Sequence, residues 1–184
     1  MAAALVITCG EKPDEVFSKL NELQSVPGRM EFVAEKKSGG HIYVDYAHTP
    51  SALANALKAI RPHVFGKLFV LFGAGGDRDI GKRCLMGETA QTLSDVVYVS
   101  DDNPRYENAE KIRADIMQKC PKAIEIGDRA QAILTAVSQL SEGDALLIAG
   151  KGHEMGQEIE GNIFPFSDIE QASMSVSVID GVTP

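Results

Sequence analysis

The chain has 184 residues, is 44% apolar and carries a formal net charge of −8, enough apolar material for one full core and too much for global disorder. An acidic chain with no Lys/Arg-rich run lacks the electrostatic footprint of a nucleic-acid or membrane-surface binder, so neither is expected as a partner. Cys9, Cys84 and Cys120 have neither metal-ligand nor redox spacing, and no apolar run approaches the ~20 residues of a membrane span, so a reduced, cytoplasmic setting without a metal site is expected.

Residues 13–23 place Val16, Phe17, Leu20 and Leu23 on one helical face, and Pro27-Gly28 ends that segment as a linker. RMEFVAE and HIYVDYA then read as strands around the turn KKSGGH. TPSALANALKAI reads as a helix with Thr49 as N-cap and Pro50 in the first turn. From there strands and helices alternate: KLFVLFGA, CLMGETAQTL, DVVYVSDD, AEKIRADIMQKC, AIEIGD, RAQAILTAVSQL, DALLIAG and a last helix in SDIEQASMSVSVID. The expected fold class is α/β: a Rossmann-like, mostly parallel sheet with helices on both faces, preceded by a short helical segment and a β-hairpin.

In open α/β sheets ligands sit beyond the carboxyl ends of the strands. Three polar, Gly-rich segments leave such ends: GAGGDRDIGKR, SDDNPRYEN and AGKGHE. They bring Arg78, Asp79, Lys82, Arg83, Asp101, Asp102, Asn103, Arg105, Lys151, His153 and Glu154 to one edge. A mixture of fixed cations and anions suits a zwitterion such as an amino acid better than a bare phosphate chain.

The first segment resembles a phosphate-cradling loop and fails as one. Arg83 stands where a hydroxyl would bind Mg²⁺, and Asp77 and Asp79 stand where backbone amides would face phosphate. As a dinucleotide fingerprint it also fails, with Arg78 at the third glycine. Taken singly, DDNPR reads as a turn, GKGHE as a turn or anion-binding helix start, and Asp45 and His48 as a capping cluster.

Together and in order, PGRME, VDYAHTP, FGAGGDRDIGKR, DDNPR and AGKGHE resemble the C-terminal part of the Mur ligases, with DNPR similar to the element of the diaminopimelate-adding members. The resemblance implies an acceptor site at Arg78, Asp102, Asn103, Arg105, Gly150 and Glu154, nucleotide contacts at Arg29, Asp45 and His48, and no catalytic residue of its own. It implies ligation of meso-diaminopimelate to UDP-N-acetylmuramoyl-L-alanyl-D-glutamate in peptidoglycan synthesis, through an acyl phosphate made with ATP and Mg²⁺. It also implies that residues 1–26 end a central ATPase domain and residues 27–184 form the amino-acid-binding domain. No Gly-x-x-x-x-Gly-Lys-Ser/Thr occurs in the 184 residues, so this segment is expected to hold neither ATP nor Mg²⁺ and to be inactive alone. A ligase with another acceptor, or a stand-alone ligand-binding module, are the competing readings.

Overall fold

Every residue of Leu68–Phe72 (β3) and Ala145–Ala149 (β6) is buried in the computed structural model. Continuous apolar runs of this kind require cover on both faces of the sheet, and the structure, which describes residues 2–23 and 25–181, supplies it. Leu68, Val70 and Phe72 pack with Leu53 and Leu57 of α3 (Pro50–Ile60), Met86 of α4 (Gly81–Leu93) and Ile112 of α5 (Ala109–Met117). The alternate residues Phe69 and Leu71 pack on the other side with Ile133 and Val137 of α6 (Arg129–Gln139) and Ala172 of α7 (Asp168–Ile179).

The main sheet has six strands. With β1 (Glu31–Glu35), β2 (His41–Asp45), β4 (Val96–Val99) and β5 (Ile124–Glu125), its order is β1-β2-β6-β3-β4-β5. β1 is antiparallel to β2, and the remaining pairs are parallel. The late strand β6 is inserted between β2 and β3, with Leu147 opposite both Tyr43 and Val70. The α/β expectation, including the leading hairpin, holds.

Thr49 caps α3 as expected: its side chain accepts from the Ala52 backbone N at 3.2 Å, and Pro50 fills the first turn. Thr49→Ala should therefore cost about 1 kcal/mol in chemical denaturation. Cys120 is fully buried, and burial pushes its thiol up to about 11. A thiol-specific disulfide reagent at pH 8 should modify exposed Cys9 and reach Cys120 only after unfolding.

Two local expectations change. The helix expected over 13–23 stops at Ser18 (α2, Pro13–Ser18) and continues as a 3-10 turn, Leu20–Glu22, while Ala2–Thr8 forms a further helix, α1. None of these three elements has a buried residue. An amphipathic stripe stabilises a helix only through the surface that covers it, and Leu20 and Leu23 remain exposed. Second, the hairpin of β7 (Gly156–Ile159) and β8 (Asn162–Pro165) was not expected. Its two-residue turn has φ 49° at Glu160 and 77° at Gly161. Both values are positive, and such turns are usually signalled by Asn-Gly or Asp-Gly, so a Glu-Gly turn hides the signal.

Candidate functional site

The chain leaves β2 and β3 toward α3 and α4 on one face, but leaves β6, which lies between them, toward α7 on the other. Diverging exits open a crevice at the carboxyl ends of the strands. A cavity of about 400 Å³ lies there, and all six expected acceptor residues line it: Arg78, Asp102, Asn103, Arg105, Gly150 and Glu154. Tyr46, His48, Thr49, Asp79 and Lys82 complete its polar wall. A larger hollow, about 590 Å³, lies among α1, α2 and the following 3-10 turn, but it is apolar and holds none of the expected site residues.

The glycines of the first loop serve loop-to-loop approach. The Gly76 amide donates to the Asn103 carbonyl at 2.9 Å, and a Cβ at Gly76 would overlap the Pro104 carbonyl. On the last loop Gly150 has φ 118°, and a Cβ there would stand 2.7 Å from Asp102 Oδ2. The GAGG run is thus glycine-rich so that the DNPR turn can seat against it.

The charges divide into two groups. Arg83 does not face the cavity: it is fully buried, donating from Nη1 to Asp115 at 3.0 Å and from Nη2 to both oxygens of Glu107 at 2.8 and 2.9 Å. That hydrogen bond holds the Glu107 carboxyl below its usual range. Asp101 is engaged by Arg113, and burial raises its pKa against that pairing. Lys151 is also fully buried, donating to Asn103 Oδ1 at 2.8 Å and Glu154 Oε2 at 3.2 Å. Asn103 Nδ2 donates to the same Glu154 oxygen at 3.0 Å. Lys151 and Asn103 therefore fix Glu154, and its Oε1 has no hydrogen bond among the described residues.

The second group is open to the cavity. Asp102 is 8% exposed, and its carboxylate has no protein hydrogen bond among the described residues. Among the described residues Arg78 donates only to the neighbouring Asp77 carbonyl, at 2.9 Å. Lys82 donates to the His48 carbonyl at 2.9 Å, and burial lowers its pKa while Asp102 and Asp79 oppose that shift. Arg105 adopts φ 52°, unusual for a residue with a side chain, and donates from Nη1 to the Gly76 carbonyl at 2.9 Å.

The expected nucleotide residues separate. His48 lines the cavity, with Nδ1 2.9 Å from the Tyr46 carbonyl. Asp45 and Arg29 lie outside its lining. Asp45 accepts from the backbone amides of Met30 and Ala47, at 2.7 and 2.8 Å, which ties the linker to the end of β2. The Arg29 guanidinium stacks 4.2 Å above the Tyr46 ring, and exposed His153 packs on the same tyrosine.

Two features escaped sequence reasoning. The β7–β8 hairpin is zipped to the DNPR turn: Arg105 N donates to the Glu158 carbonyl at 3.0 Å, Glu160 N to the Arg105 carbonyl at 2.8 Å, and Gln157 Nε2 to the Asp102 carbonyl at 2.7 Å. Beneath the site, Arg129 and Asp168 form a fully buried two-pronged ion pair at 2.7 and 2.8 Å, and Arg129 Nη2 also donates to the Ala149 carbonyl at 3.0 Å. Nothing in GDRAQ or SDIEQ separates these residues from ordinary solvated helix starts.

Comparison with known proteins gives the family. The profile "Mur ligase, glutamate ligase domain" matches residues 28–152, and the chain belongs to that family. UDP-N-acetylmuramoyl-L-alanyl-D-glutamate--2,6-diaminopimelate ligase of Chelativorans sp. (strain BNC1) is 52% identical over 171 residues, covering 93% of this chain and 35% of the relative. The enzyme of that name from Rhizobium meliloti (strain 1021) is 53% identical over 168 residues, 91% of this chain and 35% of the relative. A solved structure of a ligase of the same name superposes with a TM-score of 0.77 at 36% identity, over 96% of this chain and 37% of that one. UDP-N-acetylmuramate-alanine ligase from Thermotoga maritima shares the fold, with a TM-score of 0.64 at 19% identity over 96% of this chain and 34% of that one. The chain thus spans about a third of the length of the relatives it matches.

Proposed function

We propose that this chain is the acceptor-binding part of a ligase that joins meso-diaminopimelate to the D-glutamyl carboxyl of UDP-N-acetylmuramoyl-L-alanyl-D-glutamate. The observation that carries the reading is the cavity itself. Six residues from three loops meet there, with Arg78 unpaired and with Asp102 and Glu154 Oε1 unsatisfied among the described residues. Diaminopimelate carries an amino-acid centre remote from its reacting amine. Its carboxylate suits guanidinium groups, from Arg78 and Arg105, and its ammonium suits Asp102 and Glu154. Lysine lacks that carboxylate, and arginines left partly desolvated without it disfavour lysine.

The same reading assigns residues 1–26 to the end of a preceding ATPase domain and 27–184 to the acceptor domain; the start of the family match at residue 28 supports that boundary. ATP, bound elsewhere, supplies the phosphoryl group that activates the D-glutamyl carboxyl. Within this chain Arg29, Asp45 and His48 would contact the nucleotide, with Arg29 and His48 both packed on the Tyr46 ring. Among the described residues no three His, Cys, Asp or Glu side chains gather as a metal cluster. The chain's contribution is positional: it holds the acceptor so that its free amine faces the activated carboxyl. No helix among the described residues is long and apolar enough to cross a membrane.

Acceptor profiling of the parent protein tests the reading. With ATP and the UDP-dipeptide, meso-diaminopimelate should be ligated and L-lysine rejected. Equal use of both would overturn it. The 184-residue chain alone should release no phosphate from ATP under the same conditions.

A further inference from the structure

The hairpin that seats on the DNPR turn also brings a charge. Glu158 Oε2 lies 2.9 Å from Arg105 Nε, with the Glu158 side chain 35% exposed and the Arg105 side chain 18% exposed. A guanidinium has five N–H donors. In Arg105, Nη1 faces the Gly76 and Asn103 carbonyls at 2.9 and 3.5 Å, and Nε faces Glu158. Nη2 is the nitrogen left without a protein acceptor among the described residues. Arg78, in contrast, spends one donor on a neighbouring carbonyl and meets no carboxylate within ion-pair distance among the described residues. The two cavity arginines are therefore unlike: Arg78 is uncompensated, and Arg105 already carries a counter-charge.

Resting on the proposed acceptor reading, we infer that Glu158 is a specificity-setting residue that weakens the cavity's preference for acceptors bearing a distal carboxylate. Two effects act in the same direction. A carboxylate docking on Arg105 meets the like charge of Glu158, which lowers its gain. An acceptor lacking that carboxylate leaves Arg105 still paired, so the cost of an orphaned guanidinium is reduced. Glu158 is built into the site by its backbone, whose N–H donates to Asn103 Oδ1 at 3.0 Å and whose carbonyl accepts from Arg105 N at 3.0 Å. Both bonds survive replacement of the side chain.

The test is Glu158→Gln in the parent ligase, with Glu158→Ala as a second variant and thermal unfolding as a check on folding. The readout is kcat/KM for meso-diaminopimelate divided by that for L-lysine. The ratio should rise about three- to fivefold in both variants, the scale of a half-exposed ion pair, with KM for ATP unchanged and a smaller gain at high salt. An unchanged or lower ratio in folded variants would overturn the inference. If the unmodified enzyme does not favour the carboxylate-bearing acceptor, the acceptor reading falls instead, which separates the two failures.

Discussion

Asp168→Ala is expected to destabilise the protein by about 3–5 kcal/mol, because it leaves the Arg129 guanidinium buried without its counter-charge. Both side chains are fully inaccessible, so neither water nor salt can compensate. Since domains of this size are stable by only about 5–15 kcal/mol, the loss should appear as a large fall in the urea midpoint. The pair also has a positional role. Arg129 reaches Asp168 at the start of α7, the Ala149 carbonyl at the end of β6, and the Ser100 hydroxyl and Asp101 carbonyl beyond β4. These are the roots of the loops that line the cavity. The double change Arg129→Met with Asp168→Leu should recover much of the stability, since an apolar pair of similar volume has no charge to strand. A small loss for Asp168→Ala would mean that the pair is not closed to water.

On the proposed acceptor reading, Arg105→Ala is expected to raise the KM of the parent protein for meso-diaminopimelate about 100-fold, the size of losing a charge-assisted contact of roughly 2–3 kcal/mol. The KM for ATP should hardly change. Stability and binding can be separated here because Arg105 sits at φ 52°. Alanine keeps that backbone cost and glycine relieves it, so Arg105→Gly should be the more stable variant by about 1 kcal/mol while binding the acceptor no better. Unchanged acceptor affinity in both variants would remove Arg105 from the site.

Much of this architecture is legible in the chain. Leu68–Phe72 and Ala145–Ala149 have a composition that only a doubly covered strand tolerates, and Thr49-Pro50 marks a helix start by known chemistry. The six residues proposed for the acceptor site reach one cavity because three polar loops leave the carboxyl ends of parallel strands, and topology alone puts those ends together. What stayed hidden depends on partners distant in sequence. Arg83 reads like another loop cation, yet Glu107 and Asp115 bury it from the next segment. Arg129 finds Asp168 across 39 positions. The β7–β8 hairpin has little apolar alternation and is held by its bonds to the DNPR turn as much as by its own ladder. Asp45 reads as part of a capping cluster from the residues and as a nucleotide contact from the resemblance; its bonds from the amides of Met30, on a segment ahead of β1, and of Ala47 could not be read from either.

The central claim is that the cavity between the loops after β3, β4 and β6 is an acceptor site for a zwitterion with a distal carboxylate. Amide-resolved NMR titration of the 184-residue chain with meso-diaminopimelate, and separately with L-lysine, tests it most directly. Meso-diaminopimelate should shift the amides of residues 75–79, 101–105 and 150–158 in a saturable manner, with L-lysine shifting the same amides only at far higher concentration. Saturable shifts confined to other parts of the chain, or equal responses to the two amino acids, would contradict the account.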